Sequence, residues 1–202
     1  MTGTLLALVV ATSALVLIPG PNVALIVATS LRHGLRLGLV SAAGTTVGIA
    51  LQLLTVIAGM SALIEMAASA LTWIKWLGVV YLVYAGIRSW REPADDLGQV
   101  PAQSARGAFG RAVMIAVINP KTLLFNAAFL PQFISRGGDA AGQLILVTAV
   151  YLAVIVIGDG LWALFAARAR RLLRGFGAVR QRITGGFLVA GGVGLALTRR
   201  IT

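Results

Sequence analysis

The sequence has no cysteine, which excludes disulfides, thiolate nucleophiles, cysteine-ligated metal centres and membrane dithiol electron carriers. Histidine occurs once, as His33, between Arg32 and Arg36, where a solvated surface role is expected. Charge is scarce: 11% of the 202 residues are charged, against about a quarter in a soluble domain. Acids are scarcest, with 6 against 17 basic residues. No His/Asp/Glu cluster has metal-ligand spacing, no glycine-rich phosphate loop follows a strand, and no nucleophile neighbours a base. Enzymatic catalysis has nothing to work with, and neither metal nor cofactor is expected.

What the chain has in abundance is apolar, 58% of its residues. Apolar segments recur at about 4–31, 37–64, 71–90, 112–134, 143–167 and 183–198, and about 20 residues cross the hydrocarbon core as a helix. Five segments pass that length. The sixth, "ITGGFLVAGGVGLALT", has 16 residues and five glycines, so it spans untilted, re-enters or packs as a cap. The expected fold is an all-α polytopic membrane protein of six transmembrane helices, or five if the last does not cross. The first segment lacks a basic n-region and stays apolar past its prolines, so it is expected to remain in the membrane.

A net charge of +11 raises nucleic acid as a partner, but the placement of the charge points to membrane topology instead. Arg32 and Arg36 follow segment 1. Arg88, Arg91, Arg106 and Arg111 surround the link between segments 3 and 4, and Arg168, Arg170, Arg171, Arg174, Arg180 and Arg182 fill the link between segments 5 and 6. These loops hold 12 of the 17 basic residues and are expected on the cytoplasmic side, with the N-terminus outside. Six spans leave Arg199 and Arg200 outside; five return them inside.

The polar connector "REPADDLGQVPAQSARGAFGR" (residues 91–111) divides a single transmembrane domain into a first repeat, 1–90, and a second, 112–202. Segment 1 breaks at Pro19-Gly20-Pro21 and segment 4 at Asn119-Pro120, an offset of 100 residues. Segments 3 and 6 both carry small residues toward a basic end. Three spans per half would invert the second repeat relative to the first, the architecture of many secondary transporters.

Proline inside a helix removes a donor and clashes with the carbonyl four residues back, so both segments should split. A break at membrane depth is tolerated only against protein or a water-filled cavity, so the breaks should point inward. Asn22 follows the first. Around the second lie Lys121, Thr122 and Asn126; a charge at mid-membrane costs about 2.5–3.5 kcal/mol on insertion scales, and Lys121 therefore faces a cavity, snorkels or forms a structural pair. Segment 5 carries Asp159, the sole acid inside any apolar segment, between Gly158 and Gly160, with Thr148 three turns earlier on nearly the same face. Low dielectric favours a neutral carboxyl and a nearby cation the ionised one, so Asp159 is a candidate for loading and releasing a proton, or a structural partner of Lys121. Gly44, Gly48, Gln52, Thr55 and Gly59 form a stripe on segment 2; Gly44 and Gly48 read as helix packing and Gln52 as a candidate polar contact for a ligand. Trp73, Trp76, Tyr81, Tyr84 and Trp90 suit interfacial anchoring or packing.

The motifs "SALVLIPGPN", "LRHGLRLGLVSAAGTTVG", "WIKWLGVVYLVYAGIRSW" and "INPKTLLFNAAFLPQF", in this order, resemble the LysE/RhtB superfamily of amino-acid exporters over essentially the whole chain. The resemblance implies export of amino acids or close derivatives across a bacterial inner membrane, driven by proton antiport, and lies nearest the homoserine, threonine and neutral amino-acid branch. It places Pro19, Gly20, Pro21, Asn119, Pro120, Lys121 and Asp159 at the family's characteristic positions. Gln52 stands where related exporters often carry a histidine, which argues against a titrating imidazole there. A zwitterion needs a partner for each of its charges. The half-helix starts near Asn22 and Thr122, or Lys121, are candidates for the carboxylate. Asp159, with carbonyls freed before Pro19 and Pro120, is the candidate for the ammonium or a proton. Expected partners are the amino-acid substrate, protons and the bilayer, with a homo-oligomer allowed and nucleic acid not. A passive small-solute channel and a non-transporting docking subunit are the alternatives.

Overall fold

The computed structural model describes residues 2–58, 76, 79–80, 83–84, 86–88, 90–91, 103–133, 140–172 and 177–197. The described residues are helical throughout apart from short turns. Helix α1 (Thr2–Leu17) runs through the first apolar stretch, and its ladder closes with the Ile18 amide on the Ala14 carbonyl, 3.2 Å. Pro19 and Pro21 have no amide to continue it. Pro21 instead opens α2 (Pro21–His33) at the first helical position, where its missing donor costs nothing. The two helices meet at 57°.

Helix α2 ends with Arg32 and His33 in its last turn, where positive charge suits the helix dipole. Gly34 then takes φ +88°, a backbone conformation that disfavours a side chain, and its amide closes on the Ser30 carbonyl at 2.9 Å. This permits the tight turn into α3 (Leu35–Ala58), whose 24 residues extend about 36 Å.

The second half opens with α4 (Ala105–Val117), which starts inside the stretch read from sequence as connector. Ser104 is the reason: its Oγ accepts the Gly107 amide at 3.0 Å and caps the helix, so Arg106 and Arg111 lie on α4. Helix α5 (Pro120–Leu124) follows at 48°, again with proline in its first turn, and passes into a π-helical turn at Phe125–Phe129 and a 3-10 turn at Leu130–Phe133. Helix α6 (Ala140–Leu172) has 33 residues, about 50 Å, so it exceeds a hydrocarbon core of about 30 Å and carries its basic end out of it. Helix α7 (Gly177–Leu197) extends the short sixth segment backwards through Arg180 and Arg182.

By length and composition, α3 and α6 can each cross a membrane, and the bent pairs α1/α2 and α4/α5 can each form one broken span. Large apolar side chains such as Leu6, Val10, Leu54, Ile145, Ile157 and Phe165 face outward, as lipid requires. Helix α2 is the exception: every residue from Pro21 to Leu31 is buried, packed among α3, α4, α6 and α7. Its start, the first break, is therefore held at the centre of the bundle.

Glycines set the closest approaches. A Cβ on Gly44 would meet the Phe109 carbonyl oxygen at 2.6 Å, and one on Gly48 the Ala116 Cβ at 2.6 Å, so the segment 2 stripe is where α3 and α4 touch. Gly86 in segment 3 lies against Gly185 and Val189 of α7, and Trp90 Nε1 donates to the Arg182 carbonyl at 3.1 Å. The remainder of segment 3, with Trp73 and Tyr81, and Gly59 of the stripe lie outside the described residues.

Candidate functional site

Each break releases backbone carbonyls that must find donors away from water. At the first, Leu15 has lost its acceptor role to Pro19. Its carbonyl accepts from Lys121 Nζ, as does that of Ile18. The Val16 carbonyl accepts from Trp162 Nε1 at 3.1 Å. Trp162 lies one turn after Asp159 on the same face of α6, and its ring meets Phe187 edge-on at 6.1 Å. Sequence reasoning missed it; the three-residue spacing from Asp159 was the available signal. Gly158 lets α6 come this close, since a Cβ there would run into Val16.

At the second break, Asn119 caps α5 with Oδ1 on the Lys121 amide at 3.0 Å. That diverts the amide from Val117, whose carbonyl accepts from Gln52 Nε2 at 2.9 Å. The same nitrogen donates to the Asn119 carbonyl at 3.1 Å, and Gln52 Oε1 accepts from Asn126 Nδ2 at 3.2 Å. Thr122 Oγ1 also donates to the Asn119 carbonyl, 3.1 Å. The Ala116 carbonyl, which Pro120 cannot reach, accepts from the Asn119 amide at 3.1 Å. Gln52, read from sequence as a candidate ligand contact, thus has its whole amide group committed to the second break. Asn126 buttresses it and belongs with the site.

The two breaks enclose a cavity of about 20 Å³, roughly the size of one water. Of the residues singled out from the sequence, Gly20, Asn22, Asn119, Lys121, Thr122 and Asp159 line it, with Leu15, Val16, Val23, Ile49 and Ile155 as its apolar remainder. Pro19, Pro21 and Pro120 shape the breaks without lining the cavity, and Gln52 sits behind Asn119. Asp159 is 3% exposed, and its Oδ2 has no hydrogen-bond partner; the same holds for Asn22 Oδ1. Lys121 and Asp159 interact electrostatically across the cavity, while the lysine's hydrogen bonds go to carbonyls.

The two half-helix starts differ. Asn119 closes the start of α5, whereas Gly20 gives α2 no side-chain cap. The first-turn amides of Asn22 and Val23, both cavity-lining residues, have no acceptor within α2 itself, and the helix dipole favours an anion at this end. The cavity thus brings together an anion-favouring helix start and the Asp159 carboxylate, with Lys121 bound to the Leu15 and Ile18 carbonyls beside them.

The family model described as LysE type translocator matches residues 13–199. The membrane protein YrhP of Bacillus subtilis is 28% identical over 96% of this chain and 99% of its own length. A homoserine/homoserine lactone efflux protein of Salmonella typhimurium is 30% identical over 78% of this chain and 77% of its own. A leucine efflux protein of Klebsiella pneumoniae is 28% identical over 70% and 68%. No solved structure matches. The match runs through both breaks and places the chain among transporters rather than enzymes: it belongs to the LysE type translocator family.

Proposed function

We propose that this protein exports amino acids with uncharged side chains, such as homoserine and threonine, or close derivatives of them, from the cytoplasm across a bacterial inner membrane in exchange for protons. The relatives' names, homoserine/homoserine lactone efflux protein and leucine efflux protein, support the substrate class. The observation that carries the reading is the pairing inside one cavity of an uncapped helix start, at Gly20 to Val23, with the buried Asp159 carboxylate, whose Oδ2 has no hydrogen-bond partner. A zwitterion brings a carboxylate for the first and an ammonium for the second, and hydrocarbon excludes both unless each is met.

Asp159 holds either the ammonium or a proton. That competition couples the two fluxes. With Asp159 the one acid among the described residues that line the cavity, a dibasic substrate finds no counterpart there for its second cation. The cavity as it stands admits about one water, so loading requires the halves to part. We take residues 1–90 and 112–202 as inverted repeats that rock about the breaks, a reading supported by the similar bends of 57° and 48° at equivalent places.

The test is uptake of labelled neutral, hydroxy and basic amino acids into inverted membrane vesicles, with an imposed ΔpH and after its collapse. Accumulation of neutral or hydroxy amino acids that requires ΔpH is expected. Asp159→Asn should abolish the ΔpH dependence; wild-type uptake with an unchanged pH response in that variant would refute the coupling role.

A further inference from the structure

Resting on the amino-acid reading above, we propose that the Lys121 side chain is a tethered occupant of the substrate's ammonium subsite. It fills the cradle made by the Leu15 and Ile18 carbonyls when no substrate is present, and the substrate's ammonium displaces it.

Three observations converge. The Lys121 ammonium is hydrogen-bonded to two of the carbonyls that the first break exposes, those of Leu15 and Ile18, and both Lys121 and the buried Asp159 line the cavity. Two carbonyl oxygens and a nearby acid suit any –NH₃⁺ head, which carries three donors whether it sits on a lysine or on an amino acid's α-carbon. Gly20 then explains itself: a Cβ there would meet Lys121 Cδ at 3.3 Å and Nζ at 3.8 Å, so the missing side chain leaves a trough for the lysine stem. Finally, the space left in the cavity is about one water, far less than an amino acid needs, and among the described lining residues the lysine stem is the one long flexible group.

Occupation by a tethered cation also meets a demand of the membrane. Carbonyls freed at Pro19 cannot stay unpaired when substrate leaves, and Lys121 returns a donor to them in the empty carrier. A zwitterion adds no net charge, so exchanging its ammonium for that of Lys121 leaves the cavity's charge unchanged. The released lysine is then free to join the start of α2 at the substrate's carboxylate.

The test uses n-butylammonium chloride, an ammonium without a carboxylate, against purified wild-type protein and Lys121→Met, with potassium chloride as the ionic-strength control. Binding is read by calorimetry and by the ligand-induced rise in unfolding temperature. The wild type should bind the probe weakly. Lys121→Met, with its cradle vacated, should bind it at least about tenfold tighter, the scale of one charge-assisted hydrogen bond. Equal affinity in the two folded proteins, or weaker binding in the variant, would overturn the proposal. If Lys121→Met does not fold, Lys121→Gln keeps an uncharged donor for one carbonyl and should show the same direction at smaller size; no gain there overturns the proposal equally.

The outcome separates from that of the transport reading. Vesicles that accumulate no amino acid while the butylammonium contrast persists would refute the substrate class and leave the tethered lysine standing. ΔpH-driven uptake without the contrast would refute the tether alone.

Discussion

Gln52 is the most informative single position for testing how the second break is held. Replacing it by leucine keeps the bulk of the side chain but removes donors from the Val117 and Asn119 carbonyls and the acceptor of Asn126 Nδ2. Side-chain hydrogen bonds within membrane proteins average about 0.6 kcal/mol, so three cost about 2 kcal/mol. The figure rises where a carbonyl is left buried without a partner, at about 1–3 kcal/mol each. For a chain of this size each kcal/mol shifts unfolding by about 2–4 °C, so Gln52→Leu should lower the apparent midpoint in detergent by roughly 4–8 °C. Gln52→Glu sharpens the test. It keeps the shape and the acceptor for Asn126 but turns oxygen toward two carbonyls, so it should cost at least as much as leucine. The measurement is the unfolding midpoint followed by tryptophan fluorescence. Midpoints for both variants within about 1 °C of wild type would refute the reasoning, because the break would then be satisfied without Gln52.

Other positions extend the same physics. Gly48→Ala drives a methyl into the Val113 carbonyl oxygen, which lies 2.7 Å from the ideal Cβ, and should destabilise by about 1–3 kcal/mol in the same assay. Trp162→Phe keeps an aromatic ring against Phe187 but takes the donor from the Val16 carbonyl, so a loss of about 1 kcal/mol is expected; stability equal to wild type would mean that this bond contributes nothing. Asn119→Ala removes the α5 cap and should cost about 1 kcal/mol, while Asn119→Asp keeps an acceptor and should cost less, as read by chemical denaturation in detergent.

The breaks were legible because proline and glycine act locally: a missing amide at Pro19, Pro21 or Pro120 interrupts a ladder wherever the helix lies. The two chemically expensive residues, Lys121 and Asp159, stood out for the same reason, as charges in otherwise apolar segments. What could not be read was who answers whom. No periodicity joins Gln52 to Val117, or Lys121 to Leu15; those pairings exist only once α3 has packed on α4 and α5 has met the end of α1. The glycine stripe predicted a close helix contact without naming its partner. The bonds of Gln52 to the second break were not legible either, because one face of a helix can carry both a ligand contact and a packing contact, and spacing alone does not separate them. The start of α4 was missed because Ser104 is followed three residues later by Gly107, which cannot complete a capping box.

The pattern of capping carries the deeper consequence for how the fold holds together. The first break is satisfied by Lys121 from the second and by Trp162 from the helix that carries Asp159. The second break is satisfied by Gln52 from α3, together with its own Asn119. Neither interruption could be buried alone, since its freed carbonyls would cost several kcal/mol apiece in hydrocarbon. Each is affordable only beside the elements that answer it, and this places residues 100 positions apart in one cavity. The same dependence limits how the halves can move. Any motion that parts Lys121 from Leu15 and Ile18 exposes two carbonyls at once, so it becomes favourable only when another donor or water arrives to take them. On the proposed export of amino acids a substrate ammonium would be such a donor, and the physics that makes the breaks tolerable in a membrane would then also tie their opening to what enters between them.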